Sequence, residues 1–279
     1  MKLLVVVDAE EYSRQAARIA ARFAINTWAD VTILALQAKN GDTLNARLLD
    51  ALPEIQCMFL GNDSPFGEYK DTGFQAVSDG TWEMDRTGSD GRKQLKVLVR
   101  RGDWLRIVSE QLEQEQADFL FLGASSDKPE WEGELRFPQK VAATVPCSSF
   151  VVKGSSMGKT LVCCLDQASV SQESLEIINQ LVTIQEAELK IVGLTGPHGL
   201  REKVEERMMQ VLRYYTERGV RAWVRLVNEE ELPAFAHEAS KTGTLGLWLG
   251  KKSLLTKFFS KDRLEQFITA SESSVVILK

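Results

Sequence analysis

Residues 150–166 read FVVKGSSMGKTLVCCLD and join two halves of similar pattern. An apolar run ends at Lys153, small and flexible residues follow, and a second apolar run opens at Thr160 and closes on Asp166. The opening stretch KLLVVVDAEEYSRQAARIAARFA aligns with KTLVCCLDQASVSQESLEIINQLV, which pairs Asp8 with Asp166 at an offset of 158. An internal repeat determines the architecture of a chain. We therefore predict that this stretch is the junction between two tandem copies.

A second alignment extends the repeat towards the end of each half. LKVLVRRGDWLRIVSEQLEQEQADFLFLGASS aligns with RAWVRLVNEEELPAFAHEASKTGTLGLWLGKKS, which pairs Gly123 with Gly250, and the closing runs SFVVK and VVILK also match. A chain of 279 residues is long enough for two cores. The sequence predicts one domain over 1–153, with an insert at about 40–94, and a second over 159–279.

Composition is that of a soluble globular protein. Hydrophobic residues make up 44% and charged residues 26%, and the net charge is −5 with a pI of about 5.4. An acidic chain lacks the electrostatic footprint of a nucleic-acid binder. No apolar run approaches the eighteen or so residues that span a bilayer, and Met1-Lys2 leads directly into an apolar strand rather than a signal peptide. We expect a cytoplasmic protein without nucleic acid and without membrane insertion.

Each half alternates apolar, β-branched runs with amphipathic segments, as parallel α/β sheets do. We predict strands at 3–7, 31–36, 96–100, 119–122 and 149–153, and again at 160–165, 189–194, 222–227, 245–249 and 274–278. Helices are predicted at 13–27, 42–52, 103–116 and 138–143, and again at 170–184, 200–218, from about 229, and at 261–269. The predicted fold class is α/β, with two tandem five-stranded parallel, doubly wound, Rossmann-like domains.

The insert carries its own signal. Short apolar runs at 74–77 and 81–84 flank Ser78-Asp79-Gly80, and Asp-Gly between such runs is typical of a β-hairpin. We predict an inserted hairpin on the first domain.

The sequence lacks the motifs of several enzyme classes. The four cysteines (Cys57, Cys147, Cys163 and Cys164) form no metal-binding spacing and are interpreted as buried reduced thiols. Neither His198 nor His237 accompanies a nucleophile motif such as GxSxG. The run after Gly250 departs from a phosphate-binding P-loop, because the upstream glycine of that motif would be Leu245. We predict no catalytic residue, no metal and no enzymatic activity.

Three stretches resemble the universal stress protein family in its tandem form: VVVD with Ser13 shortly after it, VRRGDWLRIVSEQLEQEQADFLFLGASS, and KVAATVPCSSFVVK. The resemblance covers nearly the whole chain outside the insert. It implies a non-enzymatic stress-response or regulatory protein with an unknown protein partner. It also implies an internal pseudo-dimer, in which 150–152 lie beside 275–277 and hide two sheet edges. A homodimer of two such chains is left open.

The resemblance also raises the question of a nucleotide. Family members that bind ATP carry Gly, two residues, Gly, nine residues, then Gly-Ser or Gly-Thr after the fourth strand. Backbone N–H groups in such a loop can close on phosphates. Here the second glycine is replaced by Ser126 in the first copy and by Ser253 in the second, so both loops are degenerate. The candidate ATP or AMP residues are Asp8, Leu36, Gly123, Ser125, Ser126, Asp166, Gly250, Lys251 and Ser253.

The sequence leaves two other functions open and disfavours two more. One alternative is an atypical AMP or ATP sensor that uses Asp8 and Gly123, and another is a soluble regulatory subunit of a membrane transporter. An electron-transfer flavoprotein or an ATP pyrophosphatase would share the broad fold. The latter needs a Ser-Gly-Gly phosphate loop after its first strand, where Asp8-Ala9-Glu10-Glu11 stands in this sequence.

Overall fold

A computed structural model describes residues 1–38, 44–60, 64–66, 70–87, 92–125, 131, 134–154, 158–165, 170–195, 202–250 and 253–279. Contacts divide the chain into two compact units, Met1–Val141 and Ala142–Lys279. The predicted domains, 1–153 and 159–279, are copies of a sequence repeat. The two units are instead defined by contacts within the structure.

The first unit alternates strands and helices in the predicted order. Its strands are β1 (Lys2–Val7), β2 (Asp30–Gln37), β3 (Lys70–Ser78), β4 (Thr81–Thr87), β5 (Leu95–Arg101) and β6 (Phe119–Ala124). Its helices are α1 (Glu11–Thr27), α2 (Ala46–Cys57), α3 (Trp104–Glu115) and α4 (Phe137–Thr144), and the unit boundary falls within α4.

Strand order in the first unit is β6-β1-β2-β5-β4-β3. β6, β1, β2 and β5 run parallel, and α1 connects β1 to β2 on one side while β6 lies on the other side of β1. The chain therefore reverses its direction of winding between β1 and β6, which is the switch point at which α/β sheets form a ligand crevice. Residues 3–7 of β1 are fully buried, as the continuous apolar run predicted.

The inserted hairpin is confirmed. β3 and β4 pair antiparallel around the two-residue turn Asp79-Gly80, and β4 continues the sheet by pairing antiparallel with β5. Gly80 has a φ of +67°, which a two-residue hairpin turn requires and glycine adopts readily. The insert is thus an extension of the first sheet.

The second unit repeats the parallel order more simply. Its strands are β7 (Ser148–Lys153), β8 (Thr160–Cys164), β9 (Glu188–Thr195), β10 (Ala222–Asn228), β11 (Thr244–Trp248) and β12 (Val275–Leu278), in the order β10-β9-β8-β11-β12-β7. Its helices are α5 (Gln172–Gln185), α6 (Glu202–Thr216), α7 (Leu232–Ala239) and α8 (Lys261–Ala270). Short 3-10 helices precede α7 at Glu229–Glu231 and α8 at Leu254–Lys257.

β7 and β12 are the last strands of the first and the second sequence copy. These strands pair antiparallel, with Val151 opposite Val275 and Phe150 opposite Val276. The prediction that 150–152 lie beside 275–277 is confirmed. Because each strand covers the edge of the other, neither is left with a free row of backbone groups on that side.

Three local predictions were wrong in detail. α2 was expected to stop before Pro53 but continues to Cys57, because Leu52 and Ile55 bury on one face and packing outweighs the cost of the proline. β6 does not end at Gly123, which lies within it. No disulfide joins the cysteines, and the expectation of buried thiols holds only for Cys163 and Cys164, because Cys57 is exposed and Cys147 is half-buried.

Candidate functional site

The candidate site lies in the first unit, where β1 and β6 end at the switch point. β1 passes into Asp8 and then α1, whose first turn contains Tyr12 and Ser13, and β6 ends with Gly123 and Ala124. Because the strands are parallel, their carboxyl ends share one edge of the sheet. Asp8 and Gly123, two of the candidate nucleotide residues, lie at this edge.

Asp8 is buried, with 5% of its surface exposed, and its carboxylate is occupied by neighbouring groups of the chain. Oδ1 accepts hydrogen bonds from the Ser13 hydroxyl at 2.7 Å and from the Glu10 backbone N–H at 2.9 Å. Oδ2 accepts a hydrogen bond from the Tyr12 hydroxyl. The Asp8 backbone N–H in turn donates to Ser13 Oγ at 3.0 Å. Both carboxylate oxygens are therefore satisfied without a ligand.

Burial shifts the ionisation of this cluster. Loss of solvent raises the pKa of Asp8 above its usual value, although hydrogen bonds from Tyr12, Ser13 and Glu10 act in the opposite direction. Burial also raises the pKa of Tyr12, and the nearby Asp8 carboxyl adds to that rise. Tyr12 therefore stays protonated and serves as a fixed donor to Asp8.

Trp131 links the first turn of α1 to the end of β6. Its backbone N–H donates to the Tyr12 hydroxyl oxygen at 2.9 Å, and its indole Nε1 donates to the Gly123 backbone oxygen at 3.1 Å. The Trp131 side chain is fully buried. A continuous chain of hydrogen bonds thus runs from Asp8 through Tyr12 and Trp131 to Gly123.

An aromatic cluster surrounds the Trp131 indole. Its ring centroid lies 5.6 Å from Tyr12, 6.0 Å from Trp104 and 4.9 Å from Phe137. Trp104 is held in turn by a hydrogen bond of 3.0 Å from its Nε1 to the Gln37 backbone oxygen. Tilted and edge-on aromatic pairs at these separations are favourable beyond the area they bury. The ends of β1, β2 and β6 are therefore bridged by side chains of the chain itself.

Gly123 is required by this packing. A Cβ at position 123 would lie 2.2 Å from the Tyr12 backbone oxygen and 2.9 Å from the Ser13 backbone nitrogen. These neighbours are backbone atoms at the start of α1, so they cannot rotate away. Glycine at this position of β6 allows the strand to approach α1 closely.

The corresponding loop of the second unit is arranged differently. Ser253 is buried and caps a 3-10 turn: its hydroxyl donates to the Trp248 backbone oxygen at 2.8 Å and accepts from the Leu255 N–H at 3.1 Å. Trp248 is also buried, yet its indole Nε1 has no hydrogen-bond partner among the described residues, which do not include 251 and 252. A Cβ on Gly250 would lie 2.8 Å from that nitrogen. Because glycine has no side chain, position 250 leaves the Trp248 indole N–H open to approach.

The remaining candidate residues lie apart from the first-unit cluster or outside the description. Leu36 is buried near the end of β2, and Ser125 is half-buried directly after β6. Ser126, Asp166 and Lys251 lie outside the described residues. The sequence reasoning missed Tyr12, Trp131, Trp104 and Phe137. The available signal was a tryptophan in an otherwise polar loop and a tyrosine one helical turn after Asp8.

Within the described ranges, no group of three or more His, Cys, Asp or Glu side chains could hold a metal ion. No helix in that part of the chain combines the length and the apolar character needed to cross a membrane.

Comparison with known proteins yields structural matches only. A scan of protein-family models and a search of curated proteins both find no match. A universal stress protein from Archaeoglobus fulgidus DSM 4304 matches with a TM-score of 0.56 at 14% identity, over 100% of this chain and 96% of that chain. A functionally unknown protein from Pseudomonas aeruginosa PAO1 gives 0.57 at 16% identity, over 100% and 92%. A protein provisionally described as a universal stress protein, from Pseudomonas aeruginosa UCBPP-PA14, gives 0.56 at 15%, over 100% and 92%.

These matches define the fold of the chain. Identities of 14 to 16% support a statement about architecture, and the matches extend over the whole of this chain. The chain has the Rossmann-like α/β fold of the universal stress proteins, as its sequence predicted.

Proposed function

We propose that this chain is a non-enzymatic stress-response or regulatory protein of the universal stress protein type, and that its first unit holds no nucleotide. One observation carries this proposal. Asp8, the one acid that the sequence placed at the crevice of the first unit, gives both carboxylate oxygens to Tyr12, Ser13 and Glu10. A carboxylate satisfied in this way is not available as a general base or as a partner for a ribose.

The fold agrees with this proposal at a coarser level. Of the three matched structures named above, one is a universal stress protein and another is provisionally described as one. A regulatory role then depends on association through protein surfaces, and the transporter-subunit alternative stays a prediction of the same kind.

Purification without added nucleotide tests the first half of the proposal. The purified chain is denatured, and the released small molecules are separated by ion-exchange chromatography. ATP hydrolysis is measured on the native chain in parallel. We expect no stoichiometric nucleotide and no hydrolysis above a buffer control. Release of one nucleotide per chain that Asp8→Asn abolishes, or turnover that the same substitution abolishes, would contradict it.

A second candidate function is a nucleotide sensor in the second unit, and Trp248 favours it. Within the described part of the chain its indole N–H is a buried donor without an acceptor, and such a donor costs about 1 to 3 kcal/mol. An acceptor atom on a bound ligand would remove that cost, and Gly250 adds no side chain in its way. In this second candidate function, the first unit contributes stability to the chain, and the second unit binds the nucleotide and responds to it.

Thermal denaturation with and without AMP or ATP distinguishes the two candidates. A sensor predicts a rise in the melting temperature with nucleotide that Trp248→Phe removes, because phenylalanine keeps the ring and lacks the N–H. Trp223→Phe, at an exposed position on β10 of the same unit, is the matched control and should keep the response. If nucleotide leaves the melting temperature of the wild-type chain unchanged, the sensor is excluded and the surface-mediated regulatory role remains.

A further inference from the structure

The geometry points to Trp131 as an intramolecular ligand, a side chain that occupies the ligand crevice of the first unit in place of a small molecule. The inference goes beyond the regulatory role, because it concerns what fills the crevice and which class of molecule could replace it. Its starting point is position: the indole is bonded to Gly123 at the carboxyl end of β6, and the Trp131 backbone is bonded to Tyr12 in the first turn after β1. The carboxyl ends of these two strands are where an open α/β sheet binds its ligand.

The contacts of Trp131 are those of a bound planar heterocycle. One ring N–H donates to a backbone carbonyl, that of Gly123, at 3.1 Å. The indole also contacts Tyr12, Trp104 and Phe137, with centroids between 4.9 and 6.0 Å away. Ligand sites are typically apolar and aromatic with a few fixed polar groups, and this surrounding has that composition. The side chain is fully buried, as a sequestered ligand would be.

Backbone conformation supports the same interpretation. Trp131 has a φ of +55°, in the left-handed region that residues other than glycine adopt at a cost. Such a conformation persists where surrounding contacts determine it. Here the Trp131 N–H is fixed by Tyr12, and the Trp131 backbone oxygen accepts from the Glu134 N–H at 3.0 Å. The strain accompanies the insertion of the indole.

The second copy of the repeat lacks the residues that make this arrangement. Tyr12 lies four residues after Asp8, and the residue four after Asp166 is Val170, which has no hydroxyl. Trp131 lies eight residues after Gly123, and the residue eight after Gly250 is Phe258, which has no ring N–H. Neither of the two Trp131 hydrogen bonds can form through these side chains. The Tyr12–Trp131–Gly123 arrangement is therefore not repeated at the matching positions of the second unit.

The ligand class follows from the contacts. A molecule that replaces the indole must be planar, aromatic and of similar size, and must carry a ring N–H that reaches the Gly123 oxygen. Indole itself meets this description, and benzothiophene is the same shape without the N–H. The wild-type chain should bind neither, because its own side chain fills the place.

Removal of the side chain and addition of free indole test the inference. Trp131→Gly should lower the melting temperature, and indole at ten times its dissociation constant should raise that variant by roughly 3 °C. Benzothiophene should bind roughly fivefold more weakly, because one neutral hydrogen bond is lost. Trp131→Phe is the matched control: its ring still fills the crevice, so indole should leave it unchanged. A folded Trp131→Gly chain that ignores indole, or a wild-type chain that responds equally, would overturn the proposal.

A second measurement needs only well-folded chains. The sequence has six tryptophans, and comparison with Trp131→Phe assigns the Trp131 indole N–H in a proton–nitrogen NMR spectrum. In wild type this signal should exchange slowly with D2O and should not move on addition of 5 mM AMP. Accelerated exchange or a shift of this signal with AMP would show that a nucleotide displaces the indole, and the intramolecular-ligand assignment would then fail. An effect of AMP confined to other tryptophan signals would place the nucleotide elsewhere and leave the assignment intact.

Discussion

The Lys153 ammonium group donates a hydrogen bond of 2.6 Å to the Ser271 backbone oxygen, just beyond the end of α8. The same nitrogen donates to the Ile268 backbone oxygen at 2.6 Å, inside the last turn of that helix. Lys279 does the equivalent for α4: its ammonium donates to the backbone oxygens of Ala142, at 3.0 Å, and Val145. Each lysine comes at the end of the last strand of its own sequence copy and caps the last helix of the other copy. A cation suits the negative end of a helix.

Replacement of Lys153 should therefore destabilise the second unit. Lys153→Met keeps the apolar stem and removes the ammonium, which leaves buried carbonyl oxygens without a donor. We expect a loss of roughly 2 to 4 kcal/mol in the free energy of unfolding, measured by urea denaturation. Lys159→Met, at an exposed lysine of the same unit, is the control and should change the free energy by less than about 0.5 kcal/mol. Equal effects of the two substitutions would show that the Lys153 cap contributes nothing.

The paired glycines Gly123 and Gly250 should respond differently to alanine. At position 123 the added Cβ meets the Tyr12 backbone oxygen at 2.2 Å, and at position 250 it meets the Trp248 side chain at 2.8 Å. Backbone cannot move aside as a side chain can, so Gly123→Ala should cost about 3 kcal/mol or more and Gly250→Ala less. Thermal denaturation of the two variants gives the comparison. The packing argument is wrong if Gly250→Ala is the more damaging change.

The Asp8 carboxyl predicts a particular pH dependence. Burial raises its pKa above the ordinary value of 3.8, so the folded state binds the proton more tightly than the unfolded state. The stability that Asp8 contributes is then fully present below pH 3.8 and is lost as the pH rises through the folded-state pKa. Asp8→Asn cannot titrate. The difference in free energy of unfolding, wild type minus Asp8→Asn, should fall as the pH rises over this window.

Urea denaturation at a series of pH values measures that difference. Asp50→Asn, at an exposed position on α2, corrects for the general effect of removing a carboxylate. A difference that grows with pH would mean that the hydrogen bonds from Tyr12, Ser13 and Glu10 favour the carboxylate more than burial opposes it.

The elements of the fold could be predicted because their signals are local. The apolar run of β1, the amphipathic pattern of α6 and the Asp-Gly turn of the hairpin each lie within a few residues. The crevice could not be predicted in the same way. Tyr12 and Trp131 are 119 positions apart, and their contact depends on the whole first unit being folded. The lysine caps had a partial signal, since SFVVK and VVILK match, but sequence alone did not indicate that each lysine reaches the other copy's helix.

The hairpin depends on Gly80, and its substitution should act locally. Gly80 has a φ of +67°, and an added Cβ would lie 3.3 Å from the Arg101 backbone oxygen on β5. Gly80→Ala should cost about 1 to 2 kcal/mol, because alanine adopts this conformation poorly. Gly80→Asn should cost less, since asparagine tolerates left-handed backbone better. Amide hydrogen exchange should show faster opening of β3 and β4 in Gly80→Ala, with β1 and β6 unchanged. If exchange rises equally in β1, the hairpin is a cooperative part of the first unit rather than an extension of its edge.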